Sequence, residues 1–184
     1  MTFDQPTLLA LDFDGVLCDG LREYFQTAWR TYCQLWSPPD AVSPEELAPI
    51  FYRTRPVIEI GWEMPILIRA LVLGISEAEI LENWPKIAHE IVTKEQLKAE
   101  VIGPHLDGVR DQWIETDLSG WLSLHQFYPG VIDRIQPLID SSVAVYIIKQ
   151  KRSVLCDRFW KNKGLIFRKG KFLAKGIKNL NLKF

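Results

Sequence analysis

Residues 7–13 (TLLALDF) form a short apolar run ending in carboxylates, the pattern of a buried strand whose C-terminal end presents polar groups. Gly15 lets the chain turn sharply, and behind it Leu21, Phe25, Ala28, Trp29, Tyr32, Leu35 and Trp36 recur at helical spacing. That spacing predicts a helix over 20–36, with Asp19 as N-cap and Ser37-Pro38-Pro39 as its stop. Three capping boxes predict further helix starts, at Ser43-Pro44-Glu45-Glu46, Ser76-Glu77-Ala78-Glu79 and Thr93-Lys94-Glu95-Gln96. Between them, residues 65–73 are an apolar helical stretch closed by Gly74. No strand pattern stands between 20 and about 126, so this part is read as a helical insert.

Beyond the insert, Tyr128-Pro129-Gly130-Val131 marks a turn into a helix ending near Ile139. Residues 143–148 (VAVYII) are a second buried-strand run, rich in β-branched residues. Residues 152–163 predict a helix and 171–174 a short third strand. The order predicts an α/β fold, a parallel-sheet core interrupted after its first strand. Residues 1–19 and 126–184 are assigned to that core and 20–125 to the insert. Right-handed crossovers place the C-terminal ends of the first two core strands on one rim.

Composition narrows the class. The chain of 184 residues is 47% hydrophobic, enough for one substantial core plus an insert. Cys18, Cys33 and Cys156 have no C-x-x-C spacing, which argues against a disulfide framework or a zinc site. There is no apolar run of membrane-spanning length and no signal-peptide pattern at the start, so a cytoplasmic address is expected. The near-neutral net charge hides an asymmetry. Residues 149–184 hold 12 basic residues and one acid, Asp157, leaving 10 basic and 22 acidic residues before them.

The chemistry is concentrated in Asp12-Phe13-Asp14-Gly15-Val16. Two carboxylates one residue apart repel, and each raises the other's pKa unless a cation sits between them. Mg²⁺ suits such a pair, because it takes a few carboxylate oxygens, water and a substrate phosphate. The plainer reading makes Asp12 and Asp14 turn residues at a strand end. The full string, an apolar strand followed by D-F-D-G-V-L near the N-terminus, is far more specific than a bare D-x-D.

On these residues the chain resembles the haloacid-dehalogenase (HAD) superfamily of aspartate-nucleophile phosphohydrolases, and Tyr128-Pro129-Gly130-Val131 is similar to the return from cap to core in its phosphoglycolate-phosphatase-like members. The resemblance implies a HAD-like Rossmannoid core with a large helical cap. It implies Asp12 as nucleophile, Asp14 as general acid/base, and Mg²⁺ held by the Asp12 side chain and the Asp14 backbone carbonyl. Gly15 belongs to the phosphate-side loop. The implied partner is a small phosphorylated metabolite.

Other family positions are not matched. Where a Ser or Thr should hold the phosphate after the second strand, Ile148 is followed by Lys149. Lys175 and Lys178 are candidates for the family's third-motif lysine, in a segment already rich in lysine. The acidic fourth motif has no counterpart, since the only acid after Asp140 is Asp157. In the insert, Arg55 is a candidate clamp for an anionic substrate, against the plainer reading of Arg53 and Arg55 as a solvated helix face. His89, His105 and His125 lack ligand spacing and are read as structural. The expectation is therefore a Mg²⁺-dependent phosphomonoesterase whose C-terminal part is incomplete and whose catalysis is impaired. An unpaired first-strand edge would favour self-association. A non-catalytic binding or regulatory protein derived from the family is the first alternative. A basic-tailed nucleic-acid-binding protein is the second; membrane is not expected as a partner.

Overall fold

The computed structural model describes residues 7–37, 45–149 and 171–174. The fold is mixed α/β and mostly helical. The chain divides into two compact units, one formed by Met1–Gly20 with His125–Phe184, the other by Leu21–Leu124.

The first unit is built on a parallel sheet in the order β1 (Leu8–Asp12), β4 (Ala144–Lys149), β5 (Lys171–Ala174). Register pairs Leu9 with Val145, Leu11 with Ile147 and Asp12 with Ile148, so β1 and β4 end on the same rim. The β4–β5 pairing is also parallel, with Ile148 opposite Leu173. A second, two-residue antiparallel ladder joins β2 (Cys18–Asp19) to β3 (Gln126–Phe127). Helix α7 (Val131–Asp140) packs on β4 and buries Ile135 and Ile139, while β4 contributes Val145 and Ile147. Among the described residues these four side chains pack the α7 side of the sheet. The turn before α7 runs Tyr128-Pro129-Gly130-Val131. The Val131 N–H donates to the Tyr128 carbonyl at 3.1 Å, and Gly130 at φ 76° supplies the positive φ that a type II turn needs at its third position.

Among its described residues the second unit is all helix: α1 (Leu21–Trp36), α2 (Leu47–Thr54), a 3-10 turn (Arg55–Val57), α3 (Glu63–Val72), α4 (Glu77–Lys94), α5 (Ala99–Thr116) and α6 (Leu118–Ser123). Its centre is α3, where Met64, Pro65, Ile66, Leu67, Ile68, Ala70 and Leu71 are all buried. A helix apolar all round has to be enclosed by others, and α1, α2 and α4 each pack on it. Phe25 and Phe51 meet edge-to-face in the same core, centroids 5.4 Å apart. Helix α3 stops at Gly74, whose φ of 77° lets the Gly74 and Ile75 N–H groups return to the Leu71 and Ala70 carbonyls. Ser76 caps α4 by accepting from the Glu79 N–H at 3.3 Å.

Three expectations are corrected. Thr93 does not start a helix. The apolar period of Ile87, Ala88 and Ile91 carries α4 through to Lys94, and the chain then leaves by a C-terminal cap with Gln96 at φ 54°. There the Gln96 N–H bonds the Thr93 carbonyl and the Leu97 N–H bonds the Val92 carbonyl. Asp19 is not the cap of α1, because it is held in β2 opposite Gln126 and the helix begins at Leu21. Nor is β1 buried: Leu8, Ala10 and Asp12 are exposed and Leu9 and Leu11 half-buried. Among the described residues it pairs with β4 alone. Ser43 and Pro44 of the first capping box, and the helix expected over 152–163, lie outside the described residues.

Candidate functional site

The site is built where β1 ends. Asp12 closes the strand with an exposed side chain, and the chain folds back within six residues. Two amides, Leu17 N–H at 3.1 Å and Cys18 N–H at 3.0 Å, converge on the Phe13 carbonyl, and the Gly15 N–H donates to the Cys18 carbonyl at 2.9 Å. Gly15 stands at φ 79°, in the left-handed region, and makes this reversal possible. A Cβ built there would meet nothing within 4 Å. The glycine is thus required for its φ and not for want of space.

The loop is anchored from inside by Phe13, Leu17 and Cys18, each 3% exposed or less. The Phe13 ring stands edge-on to Phe127 with centroids 6.3 Å apart. Because Phe13 points inward, the residues flanking it turn the other way: Asp12 is exposed and Asp14 half-buried, with Gly15 and Val16 exposed beyond them. The alternation D-F-D therefore spends the aromatic ring on anchoring and presents the carboxylates. The Phe13 N–H donates to Asp12 Oδ1 at 2.7 Å and sets the side-chain rotamer from its own backbone. Asp14 is bridged to Cys18 across the loop.

The return segment braces this loop. The Cys18–Phe127 and Asp19–Gln126 pairs bring residues 126–127 beside it, and the Tyr128 N–H donates to the Leu17 carbonyl at 3.1 Å. Burial, with the neighbouring Asp19 and Cys18 adding to it, pushes the Tyr128 phenol above its usual range. Sequence reasoning used Tyr128 only as part of a turn and gave Phe127 no part. The signal was available, since Phe127-Tyr128 is an aromatic pair directly before Pro-Gly.

The structure brings Asp12, Asp14 and Gly15 together and sets Ile148 opposite Asp12 across the sheet. Arg55 belongs to the helical unit, where Nη1 donates to the Ile58 carbonyl at 3.1 Å and the guanidinium lies 5.1 Å from the centre of the Tyr24 ring. Arg53 is engaged on the surface with Glu77, through paired bonds of 2.8 and 2.7 Å. Lys175 and Lys178 lie outside the described residues. Among the described residues no group of three or more His, Cys, Asp or Glu side chains is arranged to hold a metal ion. The donors on this loop are the exposed Asp12 carboxylate and the half-buried Asp14, which has both a carboxylate and a backbone carbonyl. They fit a hard cation that keeps much of its water, as Mg²⁺ does when it takes only one or two protein carboxylates.

No family model matches the chain, and no curated protein matches it. No described helix is long and apolar enough to cross a membrane.

Proposed function

We propose that the protein is a Mg²⁺-dependent phosphomonoesterase of HAD type acting on a small phosphorylated metabolite. On this reading the parallel sheet is the start of a Rossmannoid core and the helical unit is a cap inserted between β2 and β3. The observation that carries the proposal is the Phe13–Cys18 reversal. It puts an exposed Asp12 and a half-buried Asp14 at the C-terminal end of a parallel strand, the rim where α/β sheets bind ligands.

In the proposed reaction an Asp12 oxygen attacks phosphorus and displaces the alcohol, whose oxygen takes a proton from the Asp14 carboxyl. Asp14, now a carboxylate, then removes a proton from water. The water oxygen attacks the aspartyl-phosphate, releasing inorganic phosphate and restoring Asp12. Mg²⁺, held by the Asp12 side chain and the Asp14 carbonyl, would offset the charge of the phosphoryl oxygens. The β1–β4 register sets Ile148 beside Asp12, and Lys149 follows it in β4, where a family enzyme carries a hydroxyl. Turnover is accordingly expected to be low, because a missing electrostatic partner costs on the order of 10²–10³ in rate.

The test is hydrolysis of an aryl phosphate with and without Mg²⁺, in the wild type and in Asp12→Ala. Slow, Mg²⁺-dependent turnover that disappears in Asp12→Ala supports the proposal. Turnover that survives the substitution removes Asp12 from the nucleophile role. The Lys149 position also favours a second reading, a phosphate-binding protein without catalysis. Phosphate affinity lost in Lys149→Ala, with no turnover in the wild type, would point there.

A further inference from the structure

The chain passes between its two units twice, at Gly20–Leu21 and at Leu124–His125. On the helical side, the elements next to those crossings are the first turn of α1 and the six-residue helix α6. Glu23 lies in that first turn and is 1% exposed. Its Oε1 accepts three hydrogen bonds: Thr27 Oγ1 at 2.6 Å, Arg110 Nε at 2.7 Å and Trp121 Nε1 at 3.2 Å. Thr27 is one turn along α1, Arg110 is on α5, and Trp121, itself 4% exposed, is on α6. Asp107 stands behind Arg110 at 3.5 Å.

A carboxylate this deeply buried is costly unless it is well bonded, and here donors from three helices converge on one oxygen. Burial opposes the charge on Arg110. The Glu23 charge and hydrogen bond, with Asp107 and Tyr24 adding to them, nevertheless hold its pKa above the ordinary value. Helix α6 needs such support, since six residues cannot sustain a helix alone. It is also tied by the Asp117 side-chain cap on the Gly120 N–H and by packing against α5.

We propose that Glu23 is a clasp that binds the last helix of the helical unit to its first, so that this unit is one rigid body up to both chain crossings. The role is positional and independent of the phosphatase reading. Without the clasp, α6 opens by itself while the α3 core stays closed.

Hydrogen–deuterium exchange of the full chain tests this in Glu23→Gln and Trp121→Phe. The readouts are the Trp121 and Leu124 amides, bonded within α6, against the amides of α3. Glu23→Gln is expected to speed α6 exchange by about tenfold or more, the scale of hydrogen bonds to a charged acceptor, with α3 unchanged. Trp121→Phe leaves the Thr27 and Arg110 bonds in place and keeps the test valid if Glu23→Gln does not fold. It is expected to speed α6 exchange by about two- to tenfold. Equal acceleration in α6 and α3 would overturn the proposal, because Glu23 would then support the whole unit and not a separate clasp. Wild-type α6 rates in Trp121→Phe would overturn it as well.

Discussion

Gly15 and Gly108 offer a paired test of what the motif loop demands. At both positions a Cβ would meet nothing within 4 Å, so steric crowding does not distinguish them. They differ in backbone. Gly15 stands at φ 79°, whereas Gly108 lies exposed inside α5 with an ordinary φ. Replacing Gly15 by Ala forces an L side chain into the left-handed region at a cost of about 1–2 kcal/mol. The reduced freedom of the unfolded chain offsets only part of this. Gly108→Ala has no such penalty and should gain about 0.5–1 kcal/mol. Gly15→Asn should fall between Ala and wild type, since Asn tolerates the left-handed region better. A 1 kcal/mol change moves the midpoint of a chain this size by roughly 2–4 °C, so calorimetric melting resolves both signs. If the phosphatase reading holds, Gly15→Ala should also lower turnover by shifting Asp14, one residue away. A Gly15→Ala protein as stable as wild type, or an Asn variant as costly as Ala, would refute the reasoning. The reversal would then owe nothing to the glycine's φ.

Two further outcomes follow from the helical unit. Gln96→Gly should stabilise by about 1 kcal/mol, because Gln96 holds φ 54° in the cap after α4 where glycine is the usual residue; thermal melting checks it. The Arg53 hydrogen bond holds the Glu77 carboxyl below the usual carboxylate range, and Arg53→Gln should let it rise, as read by NMR titration. A depressed folded-state pKa adds stability above the unfolded value and loses it as pH falls through the folded one. The melting difference between Arg53→Gln and wild type should therefore be present at neutral pH and vanish in acid.

What was legible in the sequence was local. The helical spacing from Leu21 to Trp36 gives α1, and the apolar block at 65–73 with its glycine stop gives α3 and its cap. The run at 143–148 and the short one at 171–174 give two of the three parallel strands. The misreadings were local signals outweighed by their surroundings. Thr93-Lys94-Glu95-Gln96 satisfies a capping-box pattern, but its Thr sits on a helix already in progress, and the cap geometry belongs to that helix's end. Asp19 is a good capping residue by type, and strand pairing with Gln126 takes it instead. The apolar run at 7–13 resembles a strand covered on both faces. Burial depends on neighbours in space, however, and β1 pairs only with β4 among the described residues.

The same distinction separates two polar centres among the described residues. The Asp12–Asp14 loop is contiguous in sequence. The features that set its local course, from the inward Phe13 to the φ of Gly15, lie within seven residues of Asp12 and a motif can carry them, while Phe127 and Tyr128 brace it from the return segment. The Glu23 centre is assembled from positions 87 and 98 residues apart. Nothing in their types marks them out. An acid in the first turn of a helix is ordinary and normally solvated, Arg110 is one basic residue among 22, and a Trp on a short helix is usually only core. Only packing α1 and α6 onto α5 converts three unremarkable residues into a buried ion pair with an indole donor. A sequence motif thus marks a loop whose course is set mostly by its own residues. The long-range polar contact, which fixes the helical unit at its chain crossings, has to be read from the packed helices.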